Sequence, residues 1–288
     1  MIVARLSPSS IRRLSVLGLA ILLLPACRGD RVRLADRLEP GRRLEHELHL
    51  EARISRALAG RQQRQDVVAT FRAAQQILAP LPDGGAEATF SLIPQSLEVN
   101  GQPVEVGPDQ DFNVHLGPDG RVVAIEEAGG QPGEALGPLG IERLLPRLRP
   151  VLPGALVAPG DRWRSRTNFV DETGTFSLTT SSRLSELGLL DGREAALVRT
   201  TYRSPVDRRE TFANAVAHMQ GTDVGAQEAW FALDGSLLRS SGDSVGSYRV
   251  TFSPPGGEVG LAPVEGTLVV RLHTELRLIS SPPAAPPA

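Results

Sequence analysis

The chain has 288 residues, 31 basic and 33 acidic, for a formal charge of −2. Every basic residue is arginine, so a Schiff-base lysine and a Walker-type phosphate lysine are both excluded. With one cysteine in the chain, Cys27, there is no intrachain disulfide and no thiolate metal centre, and the core alone must stabilise the fold.

Arg12 and Arg13 end a short basic leader, and Leu14 to Leu24 follows as an uncharged apolar run. That run is too short for a bilayer span of about 20 residues. Basic leader, apolar run and a small residue before a cut make the pattern of a secretory signal. The segment Leu24-Pro25-Ala26-Cys27 resembles the lipobox of bacterial lipoproteins. The resemblance implies cleavage before Cys27, lipid on Cys27 and anchoring in the cell envelope. Arg28, just after it, is similar to residues that permit export to an outer membrane facing the periplasm. Residues 1–26 are then the signal peptide and 27–38, rich in charge, a tether. The first 26 residues hold three arginines and no acid, leaving 28 basic against 33 acidic residues, a charge of −5. That balance argues against a nucleic-acid partner.

The rest reads as strands. Leu44, His46, Leu48, Leu50 and Ile54 alternate with Glu45, Glu47, His49, Glu51 and Arg53, the period of a strand with one wet face. Further strands are predicted over 67–71, 86–92, 112–116, 122–126, 162–169, 175–184, 195–202, 228–233, 237–241 and 247–252. Leu268, Val270, Leu272, Leu276 and Leu278 mark the last. Asp119-Gly120 and Asp234-Gly235 sit between alternating runs, where residues that tolerate positive φ favour hairpins. Ile141, Leu144, Leu145 and Leu148 have helical spacing, and Pro146, Pro150 and Pro153 limit that helix to about two turns. It is expected to lie across a sheet.

The chain looks duplicated. Pro40-Gly41, Asp83-Gly84 and Asp119-Gly120 in the first half recur as Pro159-Gly160, Asp191-Gly192 and Asp234-Gly235 in the second. The expected organisation is a first β-rich half at 39–128, a linker with a short helix at 129–158, and a second half at 159–279. A disordered Pro/Ala tail closes it at 280–288. The fold class is mainly β, antiparallel curved sheets forming a half-barrel or sandwich. This layout, with a leucine- and proline-containing join leading into Pro159-Gly160-Asp161-Arg162-Trp163, resembles a two-repeat, β-rich group of bacterial lipoproteins of unassigned function. More distantly, it is similar in architecture to half-barrel carriers of lipid and lipoproteins.

Catalytic patterns are not found. His46 and His49 are three apart, where a zinc helix needs four, and in a strand they face opposite ways. No G-x-S-x-G elbow occurs, and Asp109-Gln110-Asp111 lacks the remaining ligands of a calcium loop. The expectation is no catalytic residue, no metal and no cofactor. Trp163, Phe169 and Trp230 are candidates to line an apolar cavity. Arg162, Arg164 and Arg166, on the face opposite Trp163, would form a rim for phosphate or carboxylate head groups. The expected function is a non-catalytic, lipid-anchored envelope module that binds a hydrophobic or amphipathic ligand. The alternative is a structural lipoprotein that meets another envelope protein and has no cavity.

Overall fold

Alternation of apolar and polar residues is sustained over long stretches of this chain, and each becomes a strand. The computed structural model describes residues 31–127, 141–171, 174–212, 215–253 and 263–280. Cys27, the residues read as a signal peptide (1–26) and the expected tail from 281 lie outside them. The strands are β1 (Val32–Leu34), β2 (Arg43–Leu58), β3 (Arg61–Pro80), β4 (Ala86–Val99), β5 (Gln102–Pro103), β6 (Gln110–Leu116) and β7 (Val122–Glu127). One helix, α1 (Ile141–Leu148), precedes β8 (Ala155–Val157), β9 (Arg162–Asp171), β10 (Gly174–Leu190), β11 (Arg193–Phe212), β12 (Ala215–Ala232), β13 (Leu237–Ser253) and β14 (Val264–Ser280).

One antiparallel sheet takes in all but β1 and β8, in the order β7-β6-β4-β3-β2-β14-β13-β12-β11-β10-β9, with β5 beside β4. Its two edges approach each other. Arg121, just before β7, donates from Nη1 to the Arg166 carbonyl on β9 at 3.2 Å. The mainly β, curved antiparallel class therefore holds. The sheet curls into one nearly closed barrel rather than two sheets facing each other.

The inner face of that barrel is the core. Leu48, Leu50, Ile54, Val67, Phe71, Leu92, Phe112, Val114, Leu272 and Leu276 all point inward and are buried. A leucine taken fully out of water contributes about 1.5–3 kcal/mol, so these rows rather than any crosslink hold the wall together. Outward positions are mostly charged or polar, and ion pairs such as Arg53–Asp66 at 2.8 Å bridge neighbouring strands.

Both halves repeat one order of parts: a short strand, a Pro-Gly corner, then an antiparallel meander of long strands. At the corners, Gly41 donates its N–H to the Ile77 carbonyl at 2.9 Å, and Gly160 donates to Leu184 at 2.7 Å. Asp83-Gly84 joins β3 to β4 as Asp191-Gly192 joins β10 to β11. The halves are not separate bodies, because β14 pairs with β2 and carries the sheet through both.

Two expectations for the connecting segments are corrected. Residues 27–38 read as a tether, yet from Val32 the chain is structured: β1 pairs with β8, and Leu34 is fully buried. The segment read as a helix lying across a sheet instead enters one end of the barrel. Leu144, Leu145, Leu148 and Leu152 join the same core as the inward wall residues. An open barrel end would leave those rows wet, and β1, α1 and β8 cover them as a plug.

Candidate ligand site inside the barrel

The plug is held by polar contacts that ordinary core packing would not need. Arg147 at the end of α1 reaches Asp223, an inward residue of β12, with Nη2 to Oδ2 at 2.5 Å. The same carboxylate accepts from the Tyr248 hydroxyl on β13. The Arg147 guanidinium lies over the rings of Phe176 and Tyr202, 5.1 and 5.8 Å from their centroids. Burial first, then the Asp223 carboxylate, raise the Tyr248 phenol above its ordinary pKa, so it stays a donor. The Leu148 carbonyl, left open where the helix ends, accepts from Gln227 at 2.6 Å and Ser240 at 3.2 Å.

Glycines make room for this cluster. A Cβ on Gly225 would stand 2.4 Å from the Tyr202 ring, and one on Gly246 would stand 2.5 Å from the Asp223 carboxylate. Two hairpin glycines play a second part. Gly120 and Gly235 have φ of 72° and 83°, and a side chain on them would strike Asp36 and the Ala35 carbonyl. The two Asp-Gly turns, one from each half, thus close onto one plug segment. There Asp36 pairs with Arg149 at 2.6 Å, and Arg149 donates to the Gly235 carbonyl at 2.9 Å.

Between plug and wall lies a cavity of about 70 Å³. Ala88, Phe90, Val114, Leu145, Leu148 and Leu276 give it an apolar lining. Its polar edge includes His46, Arg149 and Thr167. His46 is buried and lies 2.9 Å from the Leu237 carbonyl through Nε2, so that nitrogen carries the proton and donates it. Burial brings its pKa down to about 4, with Arg149 adding to the effect against that hydrogen bond. His46 is therefore a neutral core residue. His49 faces outward beside Thr70 and Glu51, so the two histidines lie on opposite faces. Among the described residues no group of three or more His, Cys, Asp or Glu is placed to hold a metal.

Of the aromatic candidates, neither Trp163 nor Trp230 lines this cavity. Trp163 points inward and donates from Nε1 to the Val151 carbonyl at 2.8 Å, pinning the plug to β9. Phe169 lies on β9, its side chain outside the described residues. Trp230 faces outward, since its neighbours Ala229 and Phe231 are fully buried on the inner face. It stands across from Leu197 on the outer wall. Strand parity decides this: Phe231 is the inward aromatic. Arg162, Arg164 and Arg166 alternate with Trp163 but lie on the outer wall, not on a cavity rim. What sequence reasoning missed is the Arg147–Asp223–Tyr248 cluster. Its members are far apart in the chain, and its only local trace was an Arg and a Pro in a short apolar helix.

No protein-family model matches the chain, and no curated protein does. Among solved structures, a Bacteroides fragilis exported-protein candidate with a YmcC-like fold covers 88% of this chain and 100% of its own. Identity is 9% and the TM-score 0.24. A score that low leaves any functional reading to rest on this chain's own residues.

Proposed function

We propose that this is an exported envelope protein, lipid-anchored through Cys27, that holds a hydrophobic or amphipathic ligand in its barrel without catalysing a reaction. In a host with two membranes it would sit on the outer membrane, facing the periplasm. The observation that carries the reading is the apolar cavity beside α1. It opens between the inner wall and the plug. A ligand tail would enter by displacing Leu145 and Leu148, whose helix already lacks one ladder hydrogen bond at Pro146. No cofactor is invoked.

A second reading, an interaction lipoprotein with no ligand, is favoured by the size of that cavity. At about 70 Å³ it falls short of the roughly 300–1,000 Å³ of ordinary ligand pockets. Intact-mass analysis of protein purified from its own membrane separates the two. The first reading expects acylated Cys27 together with a co-purifying lipid. Acylation without any lipid, over repeated gentle preparations, would replace it with the second. The anchor is tested separately. Cys27→Ala should leave the membrane fraction or stay uncleaved, and a variant that fractionates and migrates like wild type would refute anchoring.

A further inference from the structure

The outer wall over β9, β10, β11 and β12 carries a dense array of arginine. Register sets Arg162 opposite Arg183, and Arg183 opposite Arg199. Two residues along stand Arg164, Ser181 and Thr201, and two further along Arg166, Thr179 and Arg203. All six arginines are exposed. The one acid completing these rows is Glu228, which pairs with Arg199 at 2.7 Å. Among the described residues, Arg162, Arg164, Arg183 and Arg203 have no ion-pair partner, and Arg166 offers only its carbonyl, to Arg121. With strands about 4.8 Å apart and about 3.3 Å per residue, the array covers roughly 10 by 13 Å.

Like charges directly opposite in a sheet are destabilising. Three arginines abreast in one row are therefore a cost that the fold offsets only at Arg199, through Glu228. Anions would relieve it, and guanidinium forks grip phosphate oxygens two at a time. The position of the array selects the anion. β1 pairs with β8, and five residues beyond the end of β8 the chain enters β9 at Arg162. Cys27 is four residues before Arg31, a span of at most about 14 Å. Resting on the anchored reading above, the array is thus held close to a bilayer surface.

We infer that this arginine wall is a docking surface for anionic phospholipid, and that the anchored barrel lies with β9–β11 against the head groups. An arginine near an anionic surface strengthens binding about fivefold. The test uses the mature chain, Cys27–Ala288, without acyl groups, so it does not depend on modification of Cys27. The chain is sedimented with vesicles of pure phosphatidylcholine, and with vesicles of equal parts phosphatidylcholine and phosphatidylglycerol. Binding is expected to the second only, and to fall as salt is raised. The triple variant Arg162→Gln/Arg164→Gln/Arg166→Gln should lower the partition coefficient at least about tenfold. The charge-matched triple Arg56→Gln/Arg271→Gln/Arg277→Gln, exposed on β2 and β14, three or more strands from β11, should change it less than about twofold. Equal loss in both triples, equal binding to neutral vesicles, or no binding at low salt would overturn the proposal. The vesicle assay is independent of the anchor, which the Cys27→Ala fractionation tests.

Discussion

Asp223 is the residue on which the plug depends, and replacing it tests the interior most sharply. Its side chain is 6% exposed and that of Arg147 11%. Asp223→Ala would leave the Arg147 cation buried over Phe176 and Tyr202 with no carboxylate, and the Tyr248 hydroxyl with no acceptor. Breaking a buried pair from one side costs about 3–5 kcal/mol. For a domain of this size each kcal/mol lowers Tm by about 2–4 °C, so the loss should be about 6–20 °C. Thermal unfolding followed by circular dichroism at constant pH measures it. The double variant Arg147→Met/Asp223→Leu removes both charges, and a pair in contact couples, so it should lose less than the sum of the singles, by at least about 2 kcal/mol. If Asp223→Ala unfolds within about 1 kcal/mol of wild type, or the double variant shows no coupling, the plug is not held as described.

Protonation of His46 should set part of the acid sensitivity. Its pKa falls from 6.5 to about 4 in the fold. The unfolded chain therefore binds the proton first, and stability is present above pH 6.5 and is lost as pH falls toward 4, by up to about 3 kcal/mol. His46→Gln, which can keep a donor to Leu237, should flatten that part of a stability–pH curve; a curve unchanged in this window would contradict the assignment. Gly225→Ala places a methyl 2.4 Å from the Tyr202 ring and should destabilise by about 1–3 kcal/mol. Denaturant unfolding reads this directly, and an unchanged midpoint would mean that the ring does not lie there.

The wall was legible because its rows alternate. Leu44, Leu48, Leu50 and Ile54 turn inward as the pattern requires. Strand extents were not legible. β3 runs Arg61–Pro80, yet its start, Arg61 to Asp66, and the Gln75-Gln76 pair further along carry no apolar alternation. Neighbouring strands extend it by pairing. The part of β12 before Glu228 was hidden more deeply. Its Gly221 and Gly225 argue against a strand locally; the β13 backbone at Ser247 crowds Gly221, and the Tyr202 ring from β11 covers Gly225. Glu45 sits on the polar face yet is buried, because Arg72 and Ser280 from flanking strands close over it. The plug was illegible for a similar reason. Val32–Leu34 and Ala155–Val157 are three residues each, and only their mutual pairing across more than a hundred residues makes them strands. Closure of the barrel likewise depends on curvature summed over the whole sheet, which no single segment encodes.

The central claim is that the barrel takes an apolar chain beside α1. Equilibrium titration of delipidated mature protein with a long-chain fatty acid, followed by the fluorescence of Trp163, tests it most directly. Trp163 bonds the plug at Val151 and so reports movement of the plug away from the wall. The account predicts saturable binding that Ala88→Leu, which adds bulk at the cavity lining, weakens at least about tenfold, the equivalent of 1.4 kcal/mol. A titration without saturation, or one that Ala88→Leu leaves unchanged, would contradict it.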